Sequence, residues 1–138
     1  MGLEGLRVVE LGQMVGVPYT AKLLADLGAD VIKIEPPEGD RSRRRGPFSD
    51  SPDRSSDQER SGLFTYLNTN KRSVVVDLAT PAGRADLEAL ISEADLVVHD
   101  LDLGAAQELG LDPETVRRTF PGLVVTALTA FGQTGPYA

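Results

Sequence analysis

Five short, mostly apolar runs recur along the chain, and the segments between them carry helical spacing or turn residues. The runs cover residues 6–11 (L-R-V-V-E-L), 31–35 (V-I-K-I-E), 73–78 (S-V-V-V-D-L), 96–99 (L-V-V-H) and 123–130 (L-V-V-T-A-L-T-A). They are near-continuous rather than alternating, as expected of strands covered on both faces. Between the first two, Gly12 opens a loop and Pro18 suits the first turn of a helix. Ala21, Leu24, Ala25 and Leu27 then recur at helical spacing until Gly28, a residue suited to ending a helix. Strand, helix and strand with short connections predict a right-handed β-α-β unit. Thr80 and Pro81 predict the N-cap and first residue of a helix reaching about Ala94, with Leu87, Leu90 and Ile91 on one face. Two shorter helical pieces are expected at 105–109 and 113–120. The pattern predicts an α/β fold: a doubly wound, mainly parallel sheet of about five strands, in one domain over residues 1–138.

One stretch breaks the pattern. Residues 38–62 are polar, contain Arg43, Arg44 and Arg45 in a row, and show no apolar period. They predict an exposed, mobile loop inside the domain.

Composition excludes several kinds of chemistry. The 138 residues carry 14 basic and 21 acidic side chains, a formal charge of −7, which disfavours a broad basic surface for nucleic acid. There is no cysteine, so thiolate metal sites, disulfides and a cysteine nucleophile are absent, and one histidine, His99, cannot make a His cluster. No metal is expected. No apolar run approaches the ~20 residues that span a membrane. The start, M-G-L-E-G-L-R-V-V-E-L, lacks the basic and long apolar regions of a signal peptide, so a cytoplasmic location is expected.

Ligands of open α/β sheets bind beyond the carboxyl ends of the strands. The first such loop, G-Q-M-V-G-V-P, is neither a G-x-G-x-x-G fingerprint nor a P-loop. Lys71 and Arg72, flanked by Asn68 and Asn70, form one cationic group, and Arg41 with Arg43–Arg45 forms another. Either suits phosphate oxygens; the arginine run equally suits a solvated loop. His99 at a strand end is a catalytic or a structural histidine. Asp100 and Asp102 could hold a cation, and Glu10 and Glu35 are general acid–base candidates or strand-end charges facing solvent.

Several blocks then follow one another in order: G-L-R-V-V-E-L-G, L-L-A-D-L-G-A-D-V-I-K-I-E-P-P-E-G-D, N-x-N-K-R-S-V-V-V-D-L-x-T-P-x-G, A-D-L-V-V, L-G-L and F-G-Q-T-G-P. Together they resemble the N-terminal part of a class III CoA-transferase of the CaiB/BaiF family, which also contains α-methylacyl-CoA racemases. The resemblance implies a Rossmann-like segment of a longer chain. It implies an interlocked homodimer that takes coenzyme A or acyl-CoA and a carboxylic acid and moves CoA between acyl groups. An aspartate of the family forms an acyl anhydride and then a glutamyl- or aspartyl-type CoA thioester, covalent catalysis by a carboxylate. That aspartate follows F-G-Q-T-G-P in relatives, so it is expected after Ala138, with no catalytic residue within this segment. By the same resemblance Met14, Val15, Gly16, Asn70, Lys71 and Arg72 are candidate CoA-binding residues, with Arg41 beside them. The chain departs from the family where relatives read E-N-F-R-P-G: here stand His99, Asp100, Leu101, Asp102, Leu103 and Gly104, and Glu108 takes the place of an Arg. Carboxylates there would repel CoA phosphates. A degenerate unit serving as scaffold or dimer surface, the racemase branch, and a free-standing nucleotide-binding module are the alternatives.

Overall fold

A computed structural model describes residues 2–49 and 61–136. Five strands form one sheet: β1 (Arg7–Leu11), β2 (Asp30–Glu35), β3 (Arg72–Val75), β4 (Leu96–His99) and β5 (Val124–Ala127). Their order is β3-β2-β1-β4-β5, and every neighbouring pair is parallel. The helices are α1 (Gly16–Asp26), α2 (Gly62–Leu67), α3 (Pro81–Ser92), α4 (Leu103–Glu108) and α5 (Pro113–Thr119). The predicted doubly wound α/β fold is the fold observed.

Side chains alternate across the sheet and so build two cores. On one face Val8, Val31 and Val98 pack against Val17, Ala21 and Ala25 of α1. On the other, Val9, Leu11, Ile34 and Val97 pack against Leu87 and Ile91 of α3 and Ala106 of α4. Each buried valine or leucine contributes about 1.5–3 kcal/mol relative to exposure, so these two layers hold the sheet in place.

The helix ends follow their predicted chemistry. Thr80 Oγ1 accepts from Gly83 N–H at 3.0 Å, and Pro81 occupies the first helical position of α3. Gly28 follows α1 with φ 104°, a conformation that glycine adopts at little cost. Strand lengths differ from expectation at the sheet edges. Pairing of β3 extends only to Val75, because its partner β2 ends at Glu35 before two prolines that lack N–H groups. Likewise β5 stops once β4 does; Leu128 N–H to His99 O, 2.7 Å, is the last ladder bond.

The polar stretch at 38–62 is not simply an exposed loop. Residues 41–44 form a 3-10 turn capped by Asp40, and both Asp40 and Ser42 are fully buried. Ser61 is buried as well: its hydroxyl donates to Ser42 O at 2.7 Å and accepts from Phe64 N–H as the cap of α2. Residues 50–60 of that stretch lie outside the described residues.

Candidate functional site

The carboxyl ends of β1, β2 and β4 deliver three loops to one edge of the sheet. The β1–α1 loop is shaped by close packing at Gly12, where a Cβ would lie 2.3 Å from Val17 Cβ. Met14 then takes a left-handed conformation, φ 67°, which is uncommon outside glycine. Its N–H donates to Asp40 Oδ1 at 3.2 Å. Gln13 N–H donates to Asp100 Oδ2 at 3.3 Å, and Gln13 Oε1 accepts from Arg41 N–H and Nε at 3.3 and 3.2 Å. The helix that follows has no side-chain N-cap and no acid in its first turn. Its leading N–H groups and the positive end of its dipole therefore attract an anion. A cleft of about 290 Å³ opens at the same edge, bordered by Gly12, Gln13, Pro37, Asp77 and Leu101. A second, of about 550 Å³, adjoins it between the β4 and β5 ends and shares Asp100 and Leu101.

Beneath the loop lies a buried network of charges. Pairing of β1 with β2 sets Glu10 opposite Lys33, both on the α1 face two residues above Val8 and Val31. Lys33 Nζ donates to Glu10 Oε1 and to Gly12 O, each at 2.8 Å, and lies 2.8 Å from Asp40 Oδ2. Lys71 Nζ reaches Glu10 Oε2 at 2.7 Å, Pro18 O at 2.7 Å and Asn68 Oδ1 at 3.0 Å. Two ammonium groups and two carboxylates are thus matched, all four side chains being almost wholly buried. Burial alone would raise the Asp40 carboxyl's pKa, but Lys33 and the Ser42 donors outweigh it and hold the pKa below the usual range. Burial pulls the Lys71 ammonium below the ordinary lysine value against the opposing field of Glu10.

A second carboxylate centre braces the 3-10 turn. Glu35 accepts from Arg43 Nε and Nη2 at 2.7 and 2.8 Å, from Asp40 N–H at 3.0 Å and from the Ser73 hydroxyl. The Arg43 guanidinium also stacks 3.6 Å from the centre of the Phe64 ring. Burial would raise the Glu35 pKa; Arg43, Ser73 and the Asp40 N–H prevail and hold it at about 2, against an ordinary 4.5. A depressed carboxyl stabilises the fold fully above its unfolded pKa and loses that contribution as pH falls through the folded value. Wild-type stability is therefore expected to drop by about 3 kcal/mol more than that of Glu35→Gln between roughly pH 5 and pH 2. Urea denaturation across that range measures it, and parallel pH curves for the two proteins would refute the pairing.

The remaining candidates have local roles. His99 is buried, its pKa lowered by burial, and its Nδ1 accepts from Leu101 N–H at 3.2 Å. That bond puts the neutral ring's proton on Nε2. Asp102 caps α4 by accepting from Ala105 N–H at 2.8 Å, and Asp100 binds the Gln13 amide. Glu108 lies 4.0 Å from Arg84 on the surface. Asp102 and Asp100 are therefore engaged in capping and loop contacts, and Glu108 in a surface ion pair.

Of the sequence-selected residues, Met14, Val15, Gly16 and Arg41 come together at the carboxyl edge. Asn70 and Arg72 sit at the amino end of β3, bonded to Asp26 and Asp30. Lys71 lies between, under α1. Glu35 ends β2 as expected and Glu10 stands one residue before the end of β1, but both are buried and paired rather than facing solvent. Sequence reasoning missed Lys33 and Asp40. Their signal was a lysine inside the apolar run V-I-K-I-E and an acid directly after Gly39.

A parallel 3-2-1-4-5 sheet with helices on both faces and a tight β1–α1 loop at its carboxyl edge defines a Rossmann-like α/β fold. Comparison with known proteins narrows this further. The model of CoA-transferase family III matches residues 3–138, and the chain belongs to that family. It is 42% identical over 138 residues to succinate–glutarate CoA-transferase of Agrobacterium fabrum, covering 99% of this chain and 34% of that one. It is 39% identical over 136 residues to succinyl-CoA–D-citramalate CoA-transferase of Chloroflexus aurantiacus, covering 98% and 32%. A crystal structure of a CaiB/BaiF family protein from Brucella suis superimposes with a TM-score of 0.86 at 41% identity, covering 97% of this chain and 35% of that one. The chain thus spans about a third of the length of the curated relatives it matches. Among the described residues, no helix is long and apolar enough to cross a membrane.

Proposed function

We propose that this segment supplies part of the coenzyme A cleft of a class III CoA-transferase, which moves CoA from an acyl-CoA to a carboxylic acid. The observation that carries the reading is the β1–α1 loop: Met14 at positive φ, followed by a helix whose N-terminus no side chain caps. In this reading Met14, Val15 and Gly16 offer backbone to CoA, and Arg41 adds a charge at the loop's rim. Asn70, Lys71 and Arg72 hold the start of β3 against α1 and β2. The segment matches 34% of a curated relative's length; in this reading the nucleophilic aspartate belongs to the remainder. The same reading carries an interlocked homodimer and a cytoplasmic setting.

Mixing the full-length protein with succinyl-CoA and a set of dicarboxylic acids is expected to yield new CoA thioesters by mass spectrometry, whereas the 138-residue segment alone yields none. Turnover by the segment alone would overturn the placement of the nucleophile. Calorimetric titration with CoA separates contact from support. Arg41→Ala is expected to weaken binding about tenfold, the loss of a charge-assisted contact. Arg72→Ala, which breaks an exposed pair with Asp30, is expected to leave affinity within about twofold. Equal losses in the two variants would place Arg72 in the cleft.

A further inference from the structure

The charged network has one member whose bonds exceed what local structure asks of it. A cap for the 3-10 turn at 41–44 needs a single acceptor, and an exposed aspartate would serve. Asp40 is instead fully buried, and its two oxygens face different segments. Oδ1 accepts from Ser42 N–H at 2.7 Å, Ser42 Oγ at 2.8 Å and Met14 N–H at 3.2 Å. Oδ2 lies against Lys33 Nζ, which also holds Gly12 O at 2.8 Å. The loop 12–14 is therefore gripped at Gly12 by Lys33 and at Met14 by Asp40, and these two grips are ion-paired to each other. Met14, held at φ 67°, would not favour that conformation unaided.

We propose that Asp40 is a positioning residue for the ligand loop. Set in place by Lys33, it holds Met14 in the left-handed conformation that turns the chain into α1 and leaves the helix N-terminus open. It touches no ligand. The inference rests on the coenzyme A reading of the loop for its functional consequence, and on the geometry alone for the grip.

The experiment compares Asp40→Ala, Asp40→Asn and the double variant Met14→Gly with Asp40→Ala in the full-length protein. Two readouts are taken: CoA affinity by calorimetry and hydrogen exchange of the Met14 amide. Asp40→Ala is expected to raise the Kd for CoA more than about tenfold and to accelerate Met14 exchange. Asp40→Asn keeps an acceptor at Oδ1 and is expected to lose less. Adding Met14→Gly is expected to recover at least about threefold of the lost affinity, since glycine adopts positive φ without the steric cost. A general loss of stability would not be mended by that glycine. Unchanged Met14 exchange in Asp40→Ala, or a double variant no better than the single one, overturns the proposal. If Asp40→Ala does not fold, the same comparison runs in the Asp40→Asn background. Wild-type protein that binds no CoA refutes the coenzyme reading, while Met14 exchange still decides the grip.

Discussion

Lys33→Met is expected to lower folding stability by about 3–5 kcal/mol, the usual loss when one partner is removed from a buried ion pair. Lys33 stands 2.8 Å from both Glu10 and Asp40, and its side chain is 1% exposed. Methionine fills the space but brings no charge. Glu10 would keep the ammonium of Lys71, but Asp40 would lose its ion partner and Gly12 O its donor. The cost comes from the acid left behind, not from the modest net worth of the intact pair, because taking charges out of water offsets most of their attraction. A second substitution tests this. Asp40→Asn in the Lys33→Met background removes one stranded charge, so the double variant is expected to be less unstable than the sum of the two singles by about 1 kcal/mol or more. Urea denaturation measures all three, and strict additivity would show that the two side chains are not coupled.

Gly12→Ala is expected to damage both stability and ligand binding. A Cβ at this position would sit 2.3 Å from Val17 Cβ and 2.5 Å from its Cγ1. Val17 is fully buried at the start of α1, and a Cβ cannot be moved by rotating χ1. The backbone has to yield, so α1 shifts away from β1. Overpacking of this kind costs about 1–3 kcal/mol. The shift also displaces Met14 and the helix N-terminus, so on the proposed coenzyme A reading of the loop CoA affinity is expected to fall more than about tenfold in protein that remains folded. Thermal melting and calorimetric titration separate the two effects. Gly16→Ala is a useful contrast, because its Cβ would meet only the flexible end of Leu128, at 2.6 Å from Cδ2. An alanine at Gly12 that binds CoA as wild type does would refute the close-packing account of the loop.

Much of the fold was legible in single residues. Thr80, Pro81 and Gly28 marked helix ends that the structure places where their backbone chemistry requires. The site was legible only in outline. Met14, Val15 and Gly16 are candidates only through a family resemblance, and in the sequence the acids Asp100 and Asp102 read as obstacles to a phosphate ligand. In the structure Asp102 is a helix cap and Asp100 holds the Gln13 amide, roles that depend on where neighbouring N–H groups point. The polar stretch after β2 is legible only in part: most of its described residues are exposed, but three polar side chains are not. Without an apolar period it looked like solvent-exposed chain, yet Asp40, Ser42 and Ser61 are buried because their partners are charged or hydrogen-bonding groups rather than hydrocarbon.

The division between the two sources of information has a physical basis. Apolar periodicity, caps and turn residues act within a few positions of one another, so the chain alone determined five strands, the helices α1, α3, α4 and α5 though not α2, and a parallel α/β arrangement. The charged centre joins Glu10, Lys33, Asp40 and Lys71, which come from separate segments of the chain. Only the β1–β2 register, the packing of α1 and the fold of the 3-10 turn bring those four charges within hydrogen-bond reach. Tertiary structure therefore decided how Met14 is held and which way the open end of α1 faces.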